Sequence, residues 1–308
     1  MLLILATTAM AGTIDRVPQD YASLQEAIDQ GDGSTIVLAA GDWAGARLTR
    51  SVVIEGEPGA RIVSGVRNKD AQIGLILTGA ATGSEIAGIT FGCGTDQLDL
   101  GIYASAVLRD GSPDEIHITQ NVFQGCAQAV TNVGTKREQC EAAVDGGQRW
   151  VVDGNTFDGF ATQTDKGRPV GGIGVYLFNV TENDVYGNLF TGTVDDRPQF
   201  TTSGILTAGC HDCILAGNQF EVTGGKYYWS AITNFGSYQD GAASSRRVQL
   251  EENDASNDSA PHAGVNFRSY DSYQTRLAGN AGSVHLDHSY CGDGRKVKRS
   301  AKQREFSR

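Results

Sequence analysis

Near the end of a 308-residue chain stand Arg268, His285 and Asp287, the three side chains best suited to hold an anion or move a proton. An arginine grips a carboxylate with a planar fork, and a histidine titrates near neutrality and serves as general acid or base. An aspartate orients either group or binds a cation. Asn266 and Tyr270 flank Arg268, and Tyr228, Trp229 and Phe235 crowd the stretch before it. Such rings stack on the apolar faces of sugars, so the set suits an acidic sugar held against an aromatic wall. Arg268 would hold its carboxylate or act as base, Asp287 would orient Arg268 or help bind calcium, and His285 would move the C5 proton. The competing reading is a surface ion pair beside a solvated histidine.

Whether these residues meet depends on the elements that carry them. Asparagines recur at 121, 155, 188, 218, 253 and 280, four of them within Asn-x-Phe runs such as Gly154-Asn155-Thr156-Phe157. A repeat of about 30 residues with loose length points to a solenoid whose units carry variable loops. Between these runs lie short Gly-Ile or Gly-Val strands, and period-two alternation turns Ile102, Val130, Val175, Ile205, Ile232, Val265 and Val284 inward. The phenylalanines at 91, 123, 157, 190 and 220 form a second inner column. The recurring asparagine suits a left-handed bend and a hydrogen-bonded ladder, and Asn132 and Asn234 point inward by the same register. The register sets Arg268 beside Asp287 and Asn266 beside His285, about 4.8 Å apart on neighbouring rungs. Should these residues not carry the site, the loops at 134–148, 161–172 and 194–203 are the remaining surface.

Ahead of the repeats, Met1 to Ala11 is apolar and ends in Ala9-Met10-Ala11, the small-x-small pattern of a secretory signal. Ser23 with Glu26 reads as a capping box opening a short helix over 21–30, with Leu24, Ala27 and Ile28 on one face. That helix would cover the open N-terminal end of the stack. Residues 1–11 thus read as signal, 12–71 as cap and first coils, 72–291 as repeats and 292–308 as a basic tail. No run approaches the roughly 20 apolar residues of a membrane span.

The six cysteines suit an oxidising compartment, hence a secreted, periplasmic or cell-surface protein. Cys93 and Cys126 fall at near-equivalent points on successive coils, within disulfide reach, and Cys210-His211-Asp212-Cys213 can close on itself. Cys140 and Cys291 stay unassigned. The latter motif and the set His285, Asp287, His288 lie three rungs or about 14 Å apart, too far to share one metal ion. The net charge of −11 conceals a tail, Arg295 to Arg308, with seven basic residues against one acid. The rest holds 18 basic and 35 acidic residues, a net of −17, which argues against nucleic acid as partner.

The capping helix, the first β-runs and the repeated Gly-Ile and Gly-Asn-x-Phe units resemble the right-handed parallel β-helix repeat family, the pectin-lyase-like fold, over about residues 13–290. The resemblance implies an all-β right-handed solenoid. It leaves the chemistry open, because the family includes lyases, hydrolases, epimerases, esterases, adhesins and non-catalytic proteins. Asp195-Asp196 stands without the Gly-His-Gly of polygalacturonase-type hydrolases, and Ala260-Pro261-His262-Ala263 lacks both carboxylates of the uronan epimerase signature. The expectation is an exported β-helix that binds or acts on polysaccharide as a lyase-like enzyme, with Ca2+ as its candidate cofactor. The alternative is a non-catalytic cell-surface or periplasmic accessory β-helix. Deleting Arg295 to Arg308 should leave the melting temperature unchanged, since the repeats end near residue 290; loss of soluble folded protein would place the tail in the fold.

Overall fold

A computed structural model of the protein describes residues 13–288 apart from 70, 95–96, 109, 138–143, 162–170, 195–201, 225–228, 236–241 and 259–265. The chain is an all-β parallel solenoid. Among the described residues its three sheets hold ten, seven and eleven strands, nearly all paired in parallel with the equivalent strand of the next coil. The first sheet runs from Ile14–Val17 to Arg276–Ala278, the second from Gly41–Ala44 to Gln219–Gly224, and the third includes Ala71–Leu77 and the long strands Ile173–Thr181 and Thr202–His211. A single antiparallel pair, Val66–Asn68 with Ala71–Leu77, interrupts the pattern among these residues.

The core is a stack of equivalent residues. Phe91, Phe123, Phe157, Phe190 and Phe220 are buried and lie face to face at 4.6–5.1 Å between ring centroids. Ile102, Val130, Val175, Ile205 and Ile232 form the second column, in the register expected. The next place belongs to Phe267, not Val265, because Ile232 pairs with Phe267. Phe267 is buried edge-on against Phe220 with centroids 6.3 Å apart, and its ring fills a volume that a valine would leave empty. Val284, also expected inward, is 47% exposed on the terminal described strand of its sheet.

Between the first and second sheets the buried asparagines form a continuous ladder. Asn188 donates from Nδ2 to Asn218 Oδ1 and to the carbonyls of Val152 and Tyr186, and accepts at Oδ1 from Asn155. The bend itself is made one residue earlier than the sequence implied. Gly154, Gly187, Gly217 and Gly279 have φ of 60–64°, and Gln120 and Glu252 occupy the same place at 54°. The Gly-Asn pair therefore divides the work: glycine takes the left-handed turn, and asparagine satisfies the buried corner amides. Ahead of the later first-sheet strands stands a second left-handed column, Glu115, Arg149, Glu182, Asp212, Arg247 and Gln274. Arg149 pairs with Glu115 at 2.9 Å and Arg247 with Asp212, giving a charged ladder on the outside.

The helix spans Leu24–Gln30. Ser23 Oγ accepts from the Glu26 amide, Glu26 accepts in return from the Ala22 amide, and the expected Leu24, Ala27 and Ile28 are buried. Arg50 satisfies its far end by donating to the carbonyls of Ala27 and Ile28. Cys93–Cys126 and Cys210–Cys213 are disulfide-bonded, as the spacing implied, while Cys140, Cys291, the first twelve residues and the basic tail lie outside the described residues. No helix among the described residues is long and apolar enough to cross a membrane.

Asn188→Leu removes a donor and an acceptor that serve five buried partners, so thermal denaturation should show a loss on the order of 3 kcal/mol; an unchanged melting point would mean the ladder is incidental. A second outcome concerns His211, buried at the end of its strand with Nε2 donating to the Ser244 carbonyl at 2.8 Å. Burial holds its pKa below the ordinary 6.5. The unfolded chain therefore takes up this proton first, and the contribution is full above about pH 6.5 and declines as pH falls further. Melting curves between about pH 7.5 and pH 5 should show the parent losing more stability than His211→Gln, which keeps a donor but cannot titrate. Parallel losses in the two proteins would remove His211 as the cause.

Candidate functional site

The outer face of the third sheet is less open than alternation alone suggests. Thr131, Leu206 and Thr233 each follow an inward residue (Val130, Ile205, Ile232) and so face outward by alternation, yet they are buried. Ile173, Phe178, Leu206 and Ala208 make a second apolar cluster outside the sheet, roofed by Ala242 and flanked by Val133, Tyr176 and Phe235. The segment at Ala242 and Ala243 packs against this face, whose apolar residues cannot be left to water.

Where that cover ends, a groove of about 420 Å³ opens. Tyr103, Tyr176 and Phe178 form its floor, Val107 its rim, and Thr135 and Lys136 its wall. The Tyr176 and Phe178 rings lie tilted with centroids 6.1 Å apart. The two tyrosines share one column of the sheet, since Tyr103 pairs with Thr131 and Thr131 with Tyr176.

The wall is held by Asp145. It accepts from the Thr135 amide and hydroxyl at 2.7 and 2.6 Å and pairs with Arg137 at 2.8 Å. The wall is anchored by Gly134, whose amide donates to the Phe178 carbonyl, and by Asn132, which exchanges two bonds with Gly147. The described groove lining thus combines three rings, the Ser105 and Thr135 side chains and the cation Lys136, with Asp145 bonded to the wall behind.

The residues expected from sequence fall at the other end of the sheet. The shift at Phe267 changes their pairing: Arg268 lies beside His285 and Thr233, so the expected pairs Arg268 with Asp287 and Asn266 with His285 are not the ones that form. Asn266 is buried and tied to Ser283 and Asp258, which removes it from the outer face. Trp229 is fully buried, donating to Asp258 and packed on Phe160; it belongs to the core and forms no subsite wall. Three residues before the inward Ile232, Trp229 falls on the opposite parity, yet beside Thr202 its large ring enters the core, so a ring in an apolar slot won over an exposed one. Phe235 packs on the outer cluster, half-buried. Tyr228 lies outside the described residues, as do the side chains of Tyr270 and Asp287. Lys136 and Thr135 carried no repeat signal and could be found only as part of the 134–148 loop. Among the described residues no group of three or more His, Cys, Asp or Glu is arranged to hold a metal ion, so the calcium reading finds no ligand set there.

No protein-family model and no curated protein matches the sequence. Among solved structures, the catalytic domain of a GH87 α-1,3-glucanase is similar at 11% identity and TM-score 0.38, over 94% of this chain and 68% of that one. PfbA, a surface adhesin of Streptococcus pneumoniae, is similar at 11% identity and TM-score 0.37, over 94% of each chain. The tailspike protein gp49 of Acinetobacter baumannii bacteriophage Fri1, a capsular polysaccharide depolymerase, aligns at 10% identity and TM-score 0.31 over 96% of this chain and 64% of its own. None of these likenesses bears on the chemistry of the groove.

Proposed function

We propose that this protein binds polysaccharide along the outer face of its third sheet, with the groove over Tyr103, Tyr176 and Phe178 as the central subsite. The observation that carries the reading is the lining itself: rings spaced along a floor, with Lys136 beside them. Sugar rings stack on such a floor while a cation draws the carboxylate or sulfate of an acidic glycan. In a body whose charge is strongly negative, a cation beside a row of rings selects where a polyanion sits. The coil winds right-handed, as parallel crossovers do, and the helix Leu24–Gln30 closes its first end. Export into an oxidising compartment agrees with the two disulfides among the described residues.

A lyase-like activity is the second reading, favoured by the pairing of Arg268 with His285. There Arg268 would hold the sugar carboxylate and His285 would move the C5 proton. Both readings are separated by one set of variants, measured against polyuronates and sulfated glycans with and without calcium. Tyr103→Ala and Lys136→Ala should each weaken binding about tenfold without a change in fold. Loss of binding or of unsaturated product in Arg268→Ala and His285→Ala alone, with the groove variants like the parent, would move the site to the end of the sheet.

A further inference from the structure

Besides Asp145, Gly134 and Asn132, the wall of the groove rests on a further residue that does not line it. Asn179 follows Phe178 in the strand Ile173–Thr181, is fully buried, and has φ of 52°, a left-handed conformation within the strand. Its Nδ2 donates to the Thr135 carbonyl at 2.7 Å, and its Oδ1 accepts from the Ala243 amide at 2.7 Å. Its own carbonyl accepts from the Gly146 amide at 2.9 Å. One side chain therefore ties the outgoing wall segment to the sheet and to the segment that roofs the outer apolar cluster, while its backbone ties the returning wall segment.

The surroundings are shaped to admit it. A Cβ on Gly209 would lie 2.1 Å from Asn179 Oδ1, and one on Gly134 or Gly146 would lie 2.4 or 2.8 Å from the Asn179 carbonyl oxygen. Three glycines from three different stretches of chain leave room for this amide and its backbone. Asparagine tolerates the left-handed region better than other residues with a side chain, and offers a donor and an acceptor side by side. Aspartate would present an acceptor to the Thr135 carbonyl, and a larger amide would not fit beside Gly209.

We infer that Asn179 is the positioning residue of the groove: it sets the height of the Thr135–Lys136 wall over the aromatic floor and so determines how tightly a glycan is held, without touching it. The inference rests on the glycan-binding reading for its ligand, but the arrangement of the wall can be tested apart from any ligand.

Two variants separate the two bonds. Asn179→Gly keeps the left-handed backbone and removes both, whereas Asn179→Asp keeps the acceptor for Ala243 and loses the donor to Thr135. Amide hydrogen exchange should rise about tenfold at Thr135 and Gly146 in both, the scale of one buried hydrogen bond, and at Ala243 only in Asn179→Gly. Tryptic cleavage after Lys136 and Arg137, followed by mass spectrometry at a temperature well below each variant's own melting transition, should accelerate in parallel. The melting temperature itself falls as the loss of buried hydrogen bonds requires. Binding of polygalacturonate should weaken about tenfold in both variants, since the Lys136 wall is loose in both. Unchanged exchange and cleavage at the wall would overturn the inference whatever the glycan does. Loosened walls with unchanged polygalacturonate affinity would overturn the link to binding. A parent protein that binds no polygalacturonate, beside variants with loosened walls, would count against the glycan reading and leave Asn179 as the seat of the wall.

Discussion

Each coil of this solenoid must present its corner amides to something other than water, and the buried asparagine column is what they meet. A corner between two parallel sheets has backbone groups that neither sheet pairs. The asparagine amide spans the gap because it offers a donor to carbonyls of its own and the preceding coil, and an acceptor to the preceding asparagine. Once the corner is fixed at one residue per coil, strand register follows on both sides, and a two-residue parity carries the phenylalanine and isoleucine columns inward. The outer faces, the groove among them, are consequences of that register.

This dependence explains what could be read from the chain beforehand. Asn155, Phe157 and Val175 repeat because each must meet its own copy on the next coil, so periodicity betrays them. The cysteines were legible for the same reason, since Cys93 and Cys126 fall at matching points. The Arg268 rung was misplaced by two residues because Gly264-Val265 imitates the strand signature, while side-chain volume put Phe267 in the core. Trp229 was assigned to the surface by its chemistry and went inside by its size and its bond to Asp258. The left-handed residue at the corner was assigned one place late, since Gly and Asn adjoin in most copies.

The groove was the least legible part. Its floor residues could be placed in a column, but Leu206 and Thr233 stand in that column too and are covered. What distinguishes Tyr103 and Tyr176 is the cover above them, set by inserted segments that differ from coil to coil. Such segments answer to no repeat, and Asn179, which seats one of them, breaks the strand pattern instead of following it. Function in this architecture sits where periodicity fails.

The Cys93–Cys126 bond has a mechanical side. A stack of coils held by parallel strands resists pulling at its ends only one rung at a time, because each rung must open before the next is loaded. The disulfide joins two successive coils through 33 residues of chain. Under tension that length of chain cannot be paid out, so peeling from the N-terminal end halts at this rung while the bond is intact. The coils carrying Tyr103 and the Thr135 wall are the ones next to it, and the clasp keeps them together under load.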